Sequence, residues 1–210
     1  MDLKQKILAL KKSKVREVVS KRLKEFGEKN SAGNNEWFSE LCFCILTANS
    51  KAKTAIIIQN ELGCKGFLEK SQDELSKIIS RNKHRFSNMK SKYLVKAREY
   101  KDIQPIIRGL IFKGQKEVRN HLADNVTGIG LKEASHFLRN IGFFELAILD
   151  RHILALLKEH GYIDEIPKPV TKKKYFEIEN VFQSLAKELG MSSAELDLYM
   201  WYMRTGEVLK

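Results

Sequence analysis

Residues 126–134, Val-Thr-Gly-Ile-Gly-Leu-Lys-Glu-Ala, carry the spacing most suited to chemistry. Gly128 and Gly130 flank one apolar residue, Ile129, and Lys132 follows two positions after the second glycine. Both glycines can take backbone angles closed to other residues. Helical patterns lie on either side, so the turn presents several peptide N–H groups at a helix start. Those groups and the helix dipole together attract a phosphate. Next come Asn140-Ile-Gly-Phe-Phe, a helix stop at Gly142, and the run Ala147-Ile-Leu-Asp-Arg-His152. Asp150 stands 18 positions after Lys132. Taken singly, these are a common turn, a surface lysine and an Asp that caps a helix.

The elements that must position these residues read as helices throughout. Residues 3–26 form one or two basic amphipathic helices, with Val15, Val18, Val19, Leu23 and Phe26 on one stripe. Their lysines and arginines suit either a DNA-facing surface or a plain solvated face. Gly27 and residues 30–35 make a loop. Glu36 to Thr47 is apolar nearly all round and should be a central buried helix. A further helix covers Lys51–Leu62 and stops at Gly63. Ser71 and Glu74 make a capping box for a helix through Ile79. The segment 80–90 is basic and holds one exposed-looking aromatic, Phe86, suited to phosphate contacts plus a stacked or inserted ring. A core role for Phe86 fits equally well.

Helices follow over 90–100 and 103–112, with Pro105 in the first turn of the second. Gln115–Asn125 and Leu131–Asn140 flank the glycine turn, and Asp150 caps a helix ended by Gly161. Pro167 and Pro169 impose an irregular connection. The last two helices cover about 172–189 and 194–205, the second started by a capping box of Ser192 and Glu195. No stretch alternates as a strand does. The expected class is all α, two helical lobes of about 35–140 and 1–34 plus 141–210 flanking a DNA-sized cleft, with the hairpin unit at 115–140.

Composition bounds the function. The chain has 210 residues and a formal net charge of +12, which points to a polyanionic partner, nucleic acid before an anionic membrane surface. No run of 18 apolar residues exists and the N-terminal stretch is charged, so the expected location is the cytoplasm, at the nucleoid. Cys42, Cys44 and Cys64 cannot pair fully and look like buried hydrophobes. The five histidines have no zinc-like spacing with them. Neither a redox cofactor nor a catalytic metal is expected.

The order hairpin, lysine, helix, Gly-rich stop, apolar run, aspartate resembles the helix-hairpin-helix DNA glycosylases with an associated lyase activity. That resemblance covers nearly the whole chain. The absence of cysteines after Cys64 separates it from relatives that hold an iron–sulfur cluster. Its short length and its end, Tyr199-Met-Trp-Tyr-Met-Arg-Thr-Gly-Glu-Val-Leu-Lys210, are similar to the archaeal type-2 8-oxoguanine DNA glycosylase/lyase family. What the resemblance implies is excision of 8-oxoguanine from duplex DNA and cleavage at the resulting abasic site. Lys132 would attack the sugar and Asp150 would assist. Trp201 would stack on the flipped base, and the terminal Lys210 would sit in the lesion pocket. Asn49, in Leu46-Thr-Ala-Asn-Ser50, stands where the superfamily places a polar amide near the gap, although a turn or cap role is the commoner fate of Asn there.

As a nucleophile Lys132 must be neutral, whereas a free lysine titrates at about 10.4. The site must therefore favour the neutral amine by desolvation or by nearby cations, for which Arg139, Arg151 and His152 are candidates. His136, one turn from Lys132, reads as an ordinary helix residue. A monomer is expected for an enzyme that clamps one duplex. Two other readings stay open: a glycosylase for another oxidised base, and a non-catalytic helix-hairpin-helix module that grips DNA without chemistry. A peripheral membrane protein using the basic N-terminal helix fits less well, because no large apolar face accompanies the lysines.

Overall fold

The computed structural model describes residues 1–210 and contains only helices and their connections. In chain order they are α1 (Leu3–Lys11), α2 (Val15–Lys29), α3 (Asn34–Thr47), α4 (Ala52–Glu69), α5 (Gln72–Arg81), α6 (Ser87–Ala97) and α7 (Ile103–Leu110). Then follow α8 (Gln115–Asn125), α9 (Leu131–Asn140), α10 (Arg151–Glu159), α11 (Lys172–Glu188) and α12 (Ser193–Thr205). Single 3₁₀ turns follow α6 and α7.

The buried apolar side chains fall into two clusters. One is built on α3, which is buried from Trp37 to Thr47 except at half-exposed Ser39, and gathers side chains from α4 to α9. The other joins α1 and α2 to α10, α11 and α12. The chain passes between them at residues 146–150, the segment that leads to Asp150. A buried polar network fixes that segment. Arg119 of α8 donates to Glu179 of α11 at 2.5 Å, and Glu179 Oε1 also accepts the Ala147 N–H at 3.1 Å. The Tyr175 hydroxyl donates to the Ala147 carbonyl at 2.8 Å. The pair is backed by the Ala147 N–H on Glu179 and by the Tyr175 and Phe176 rings, 5.5 and 5.1 Å from the guanidinium.

Local chemistry explains most helix ends. Ser71 and Glu74 form the expected capping box. Thr171 and Ser192 each accept an amide from the third residue on. Glu195 does not complete a second box; it pairs with Lys11 at 3.3 Å, which ties α12 to α1 instead.

Three local expectations are corrected. Gly27 is not in a loop but inside α2, which runs on to Lys29 because the Lys29 carbonyl accepts the Trp37 indole N–H at 2.7 Å. At Gly63 the helix breaks as expected, with φ 56° and ψ −175°, and a further helical stretch runs on to Glu69 and carries Phe67 into the core. Val18 lies off the buried stripe of α2, while Val19 and Phe26 are fully inside. Lys90, read as part of an exposed basic segment, is buried, and its ammonium donates to the Ile45 carbonyl at 2.6 Å. His84 Nε2 meets the Leu46 carbonyl at 2.8 Å. These two side chains satisfy the last turn of α3, whose carbonyls the helix itself cannot.

Candidate active site

The hairpin between α8 and α9 is held tightly. Gly128 has φ 89°, and a Cβ there would lie 2.5 Å from the Tyr93 ring. Ile129 is buried and its N–H returns to the Val126 carbonyl at 3.1 Å. The Gly130 N–H reaches Glu133 Oε2 at 3.3 Å. No side chain caps the first amides of α9. An anion approaching the hairpin would therefore meet first-turn N–H groups of α9 at the positive end of its dipole.

Lys132 and Asp150 come to one cavity. Its wall includes Thr47 and Ser50 from the end of α3, Lys132, His136 and Arg139 from α9, Asp197 and Trp201 from α12, and Lys210. Spacing on α9 explains the middle group: residues 132, 136 and 139 lie on one helical face. Asp150 reaches the cavity as the N-cap of α10, with Oδ1 accepting the His152 and Ile153 N–H groups, each at 2.8 Å. That cap fixes the carboxylate at the mouth of a helix dipole.

The Lys132 ammonium pairs with Glu133 Oε1 at 2.8 Å. Glu133 thus holds both the hairpin amide and the lysine. Sequence reasoning missed this residue, although Glu three positions after a cap glycine is the capping-box spacing. Lys90 stands close by, pushed to about 8 by burial, with Glu133 opposing that shift and Lys132 adding to it. Of the cations expected near Lys132, Arg139 lines the cavity. It ion-pairs with Asp197, and its guanidinium lies 4.9 Å from the Phe26 ring centre. Arg151 turns to its neighbour His152, which meets Trp201 edge-on at 5.1 Å. Asp197 is raised to about 6, first by burial and then by Asp150, against the pull of Arg139.

Lys210 is anchored from behind. Its ammonium donates to Glu40 Oε1 at 2.8 Å and to Gln59, and lies 4.4 Å from the centre of the Phe43 ring. Glu40 also takes Lys29, Gln59 Nε2 at 3.2 Å and Asn140 Nδ2 at 3.0 Å. Burial works against both charges of the pair. It lowers the affinity of Lys210 for its proton, whereas in Glu40 the two ammonium groups outweigh it and hold the carboxyl below its usual range. Sequence reasoning missed Glu40, although it is the lone acid between Trp37 and Thr47.

Two expected DNA-contacting residues stand apart from the cavity. Asn49 is exposed in the turn before α4 with φ 57°, and Phe86 is 47% exposed at the start of α6 with φ 60°. The Arg85 guanidinium lies 4.9 Å from the Phe86 ring centre. Left-handed angles at both residues cost free energy that their surroundings must impose. No group of three or more His, Cys, Asp or Glu side chains is placed to hold a metal ion. No helix is long and apolar enough to cross a membrane.

Comparison with known proteins places this arrangement. The family described as 8-oxoguanine DNA glycosylase matches residues 19–191. The chain belongs to that family. An 8-oxoguanine DNA glycosylase/AP lyase of Methanocaldococcus jannaschii is 48% identical over 210 residues, all of both chains. A structure of the M. jannaschii 8-oxoguanine glycosylase/lyase bound to a 15-mer DNA containing 8-oxoguanine superposes with a TM-score of 0.95. It is 47% identical and covers 99% of each chain. The 8-oxoguanine DNA glycosylase of Thermotoga maritima gives a TM-score of 0.91 at 37% identity, over 99% of this chain and 98% of that one. For this family member the expected all-helical class holds, since no strand is present.

Proposed function

We propose that this chain is a bifunctional DNA glycosylase/lyase that removes 8-oxoguanine from duplex DNA and then nicks the strand. The observation that carries it is one cavity holding Lys132, Asp150, Trp201 and Lys210, in a chain of the 8-oxoguanine DNA glycosylase family. The two core clusters serve as lobes on either side of the DNA, and the enzyme acts as a monomer at the nucleoid. The +12 charge captures the duplex through its phosphates, with strong salt dependence. The hairpin of Gly128, Ile129 and Gly130 presents the α9 amides to a phosphate beside the lesion. Asn49 and Phe86, held out on their strained turns, enter the gap left when the nucleotide is extruded. Extrusion costs a few kcal/mol.

The chemistry follows from the cavity wall. Lys132 leaves Glu133 and, as the neutral amine, attacks C1′. The bond from C1′ to the base breaks, and the base departs with the bonding electrons and takes up a proton. Asp150 stabilises the positive charge that develops on the sugar. Opening of the sugar ring leaves a Schiff base between Lys132 and C1′. Loss of a C2′ proton then expels the 3′ phosphate by β-elimination. Trp201 offers the flipped purine a stacking face, worth about 1–3 kcal/mol. Lys210 stands in the lesion pocket; 8-oxoguanine has an N7–H donor where guanine has a lone pair, so an acceptor from this part of the wall favours the damaged base.

A panel of duplexes with single defined lesions tests the assignment. Cleavage is expected at 8-oxoguanine and at abasic sites, and not in undamaged DNA. Cleavage only at an oxidised pyrimidine would move the specificity and keep the mechanism.

A further inference from the structure

His136 is out of keeping with an ordinary helix residue. It is 8% exposed, yet it lines the cavity that holds Lys132 and Lys210. Its Nε2 is buried without any hydrogen-bond partner. The ring meets Phe43 edge-on at 5.6 Å. Burial first, then the positive charges of Arg139, Lys132 and Lys210, hold the imidazole well below its ordinary pKa. A neutral imidazole has one N–H and one lone pair. In the tautomer with its N–H on Nδ1, the partnerless Nε2 is an acceptor. A buried acceptor left unmet costs free energy, and such groups in a native fold call for a ligand.

We propose that His136 is a specificity-determining residue that accepts an N–H of the extruded purine through Nε2. Guanine-type bases carry several N–H groups on their edges, and an acceptor fixed in the wall selects for them. Trp201 supplies the complementary feature: its indole N–H in the same cavity is likewise without a partner. This inference rests on the function proposed above and adds the group that reads the base.

Base excision and lyase chemistry separate the roles, since a preformed abasic site has no base to read. His136→Leu keeps the volume and removes the acceptor, whereas His136→Gln returns an acceptor on a flexible chain. Single-turnover excision of 8-oxoguanine by His136→Leu is expected to fall roughly 10- to 100-fold, the size of one buried hydrogen bond. Nicking of abasic DNA should fall at least tenfold less, and His136→Gln should recover part of the excision rate. Equal loss of both activities, or no loss of excision, or a Gln variant no better than Leu would overturn the inference. Wild-type protein that nicks abasic sites but leaves 8-oxoguanine intact would overturn the proposed function, and this inference with it.

Discussion

The Glu40 network predicts that Glu40→Gln weakens the whole protein and loosens its C-terminus. In the native fold the Glu40 side chain is 3% exposed, against 13% for Lys210 and 31% for Lys29. The substitution keeps the shape and removes the charge. Lys29 can turn to water, but the Lys210 ammonium is left with Gln59 and the face of Phe43. Breaking a buried pair by deleting one partner costs about 3–5 kcal/mol. Partial exposure of the lysines places this case near ~3 kcal/mol. At about 2–4 °C per kcal/mol for a chain of this size, the midpoint should drop by roughly 6–12 °C. Glu40 has its pKa lowered in the fold, so its contribution is present above the unfolded value of 4.5 and is lost as pH falls through the folded one. The gap between wild type and variant in thermal unfolding should therefore be full at pH 7 and close in acid. A midpoint within 2 °C of wild type at pH 7, by the same size scaling, would refute the reasoning.

Other substitutions address single features. Asp150→Asn keeps a good cap, so folding should hold while base excision slows by about 10²-fold or more; near-normal turnover in a single-turnover assay would reduce Asp150 to its cap role. Gly128→Ala sets a Cβ against the Tyr93 ring at φ 89° and should cost about 2 kcal/mol or more, measured by urea unfolding. Asp197 is raised to about 6, so between pH 4 and 6 the folded state holds a proton that the unfolded chain has released. Stability should fall with rising pH across that window, and the slope should vanish in Asp197→Asn. An identical slope in the variant would assign it to another group.

The sequence and the structure part company for identifiable reasons. Helix positions followed from periodicity and caps: Ser71, Asp150 and Ser192 each do locally what their types dictate. Gly27 misled because the tertiary contact of Trp37 outweighs the intrinsic cost of glycine in a helix. Lys90 and His84 lie in a run that reads as solvated, and only the tertiary fold reveals that the last turn of α3 needs donors. Lys132 and Asp150 were legible because the hairpin and the cap are local signals. Glu40, Asp197 and His136 were not, since their partners come from elements far apart in the chain.

Borohydride trapping on a duplex with one 8-oxoguanine tests the central claim most directly, since it captures the Schiff base itself. Wild type should form a covalent protein–DNA adduct with the lesion and none with undamaged DNA, and Lys132→Gln should bind the duplex yet form no adduct. An adduct that persists in Lys132→Gln would contradict the assignment of the nucleophile. No adduct with any lesion or abasic site would leave the chain as a hairpin module that only grips DNA.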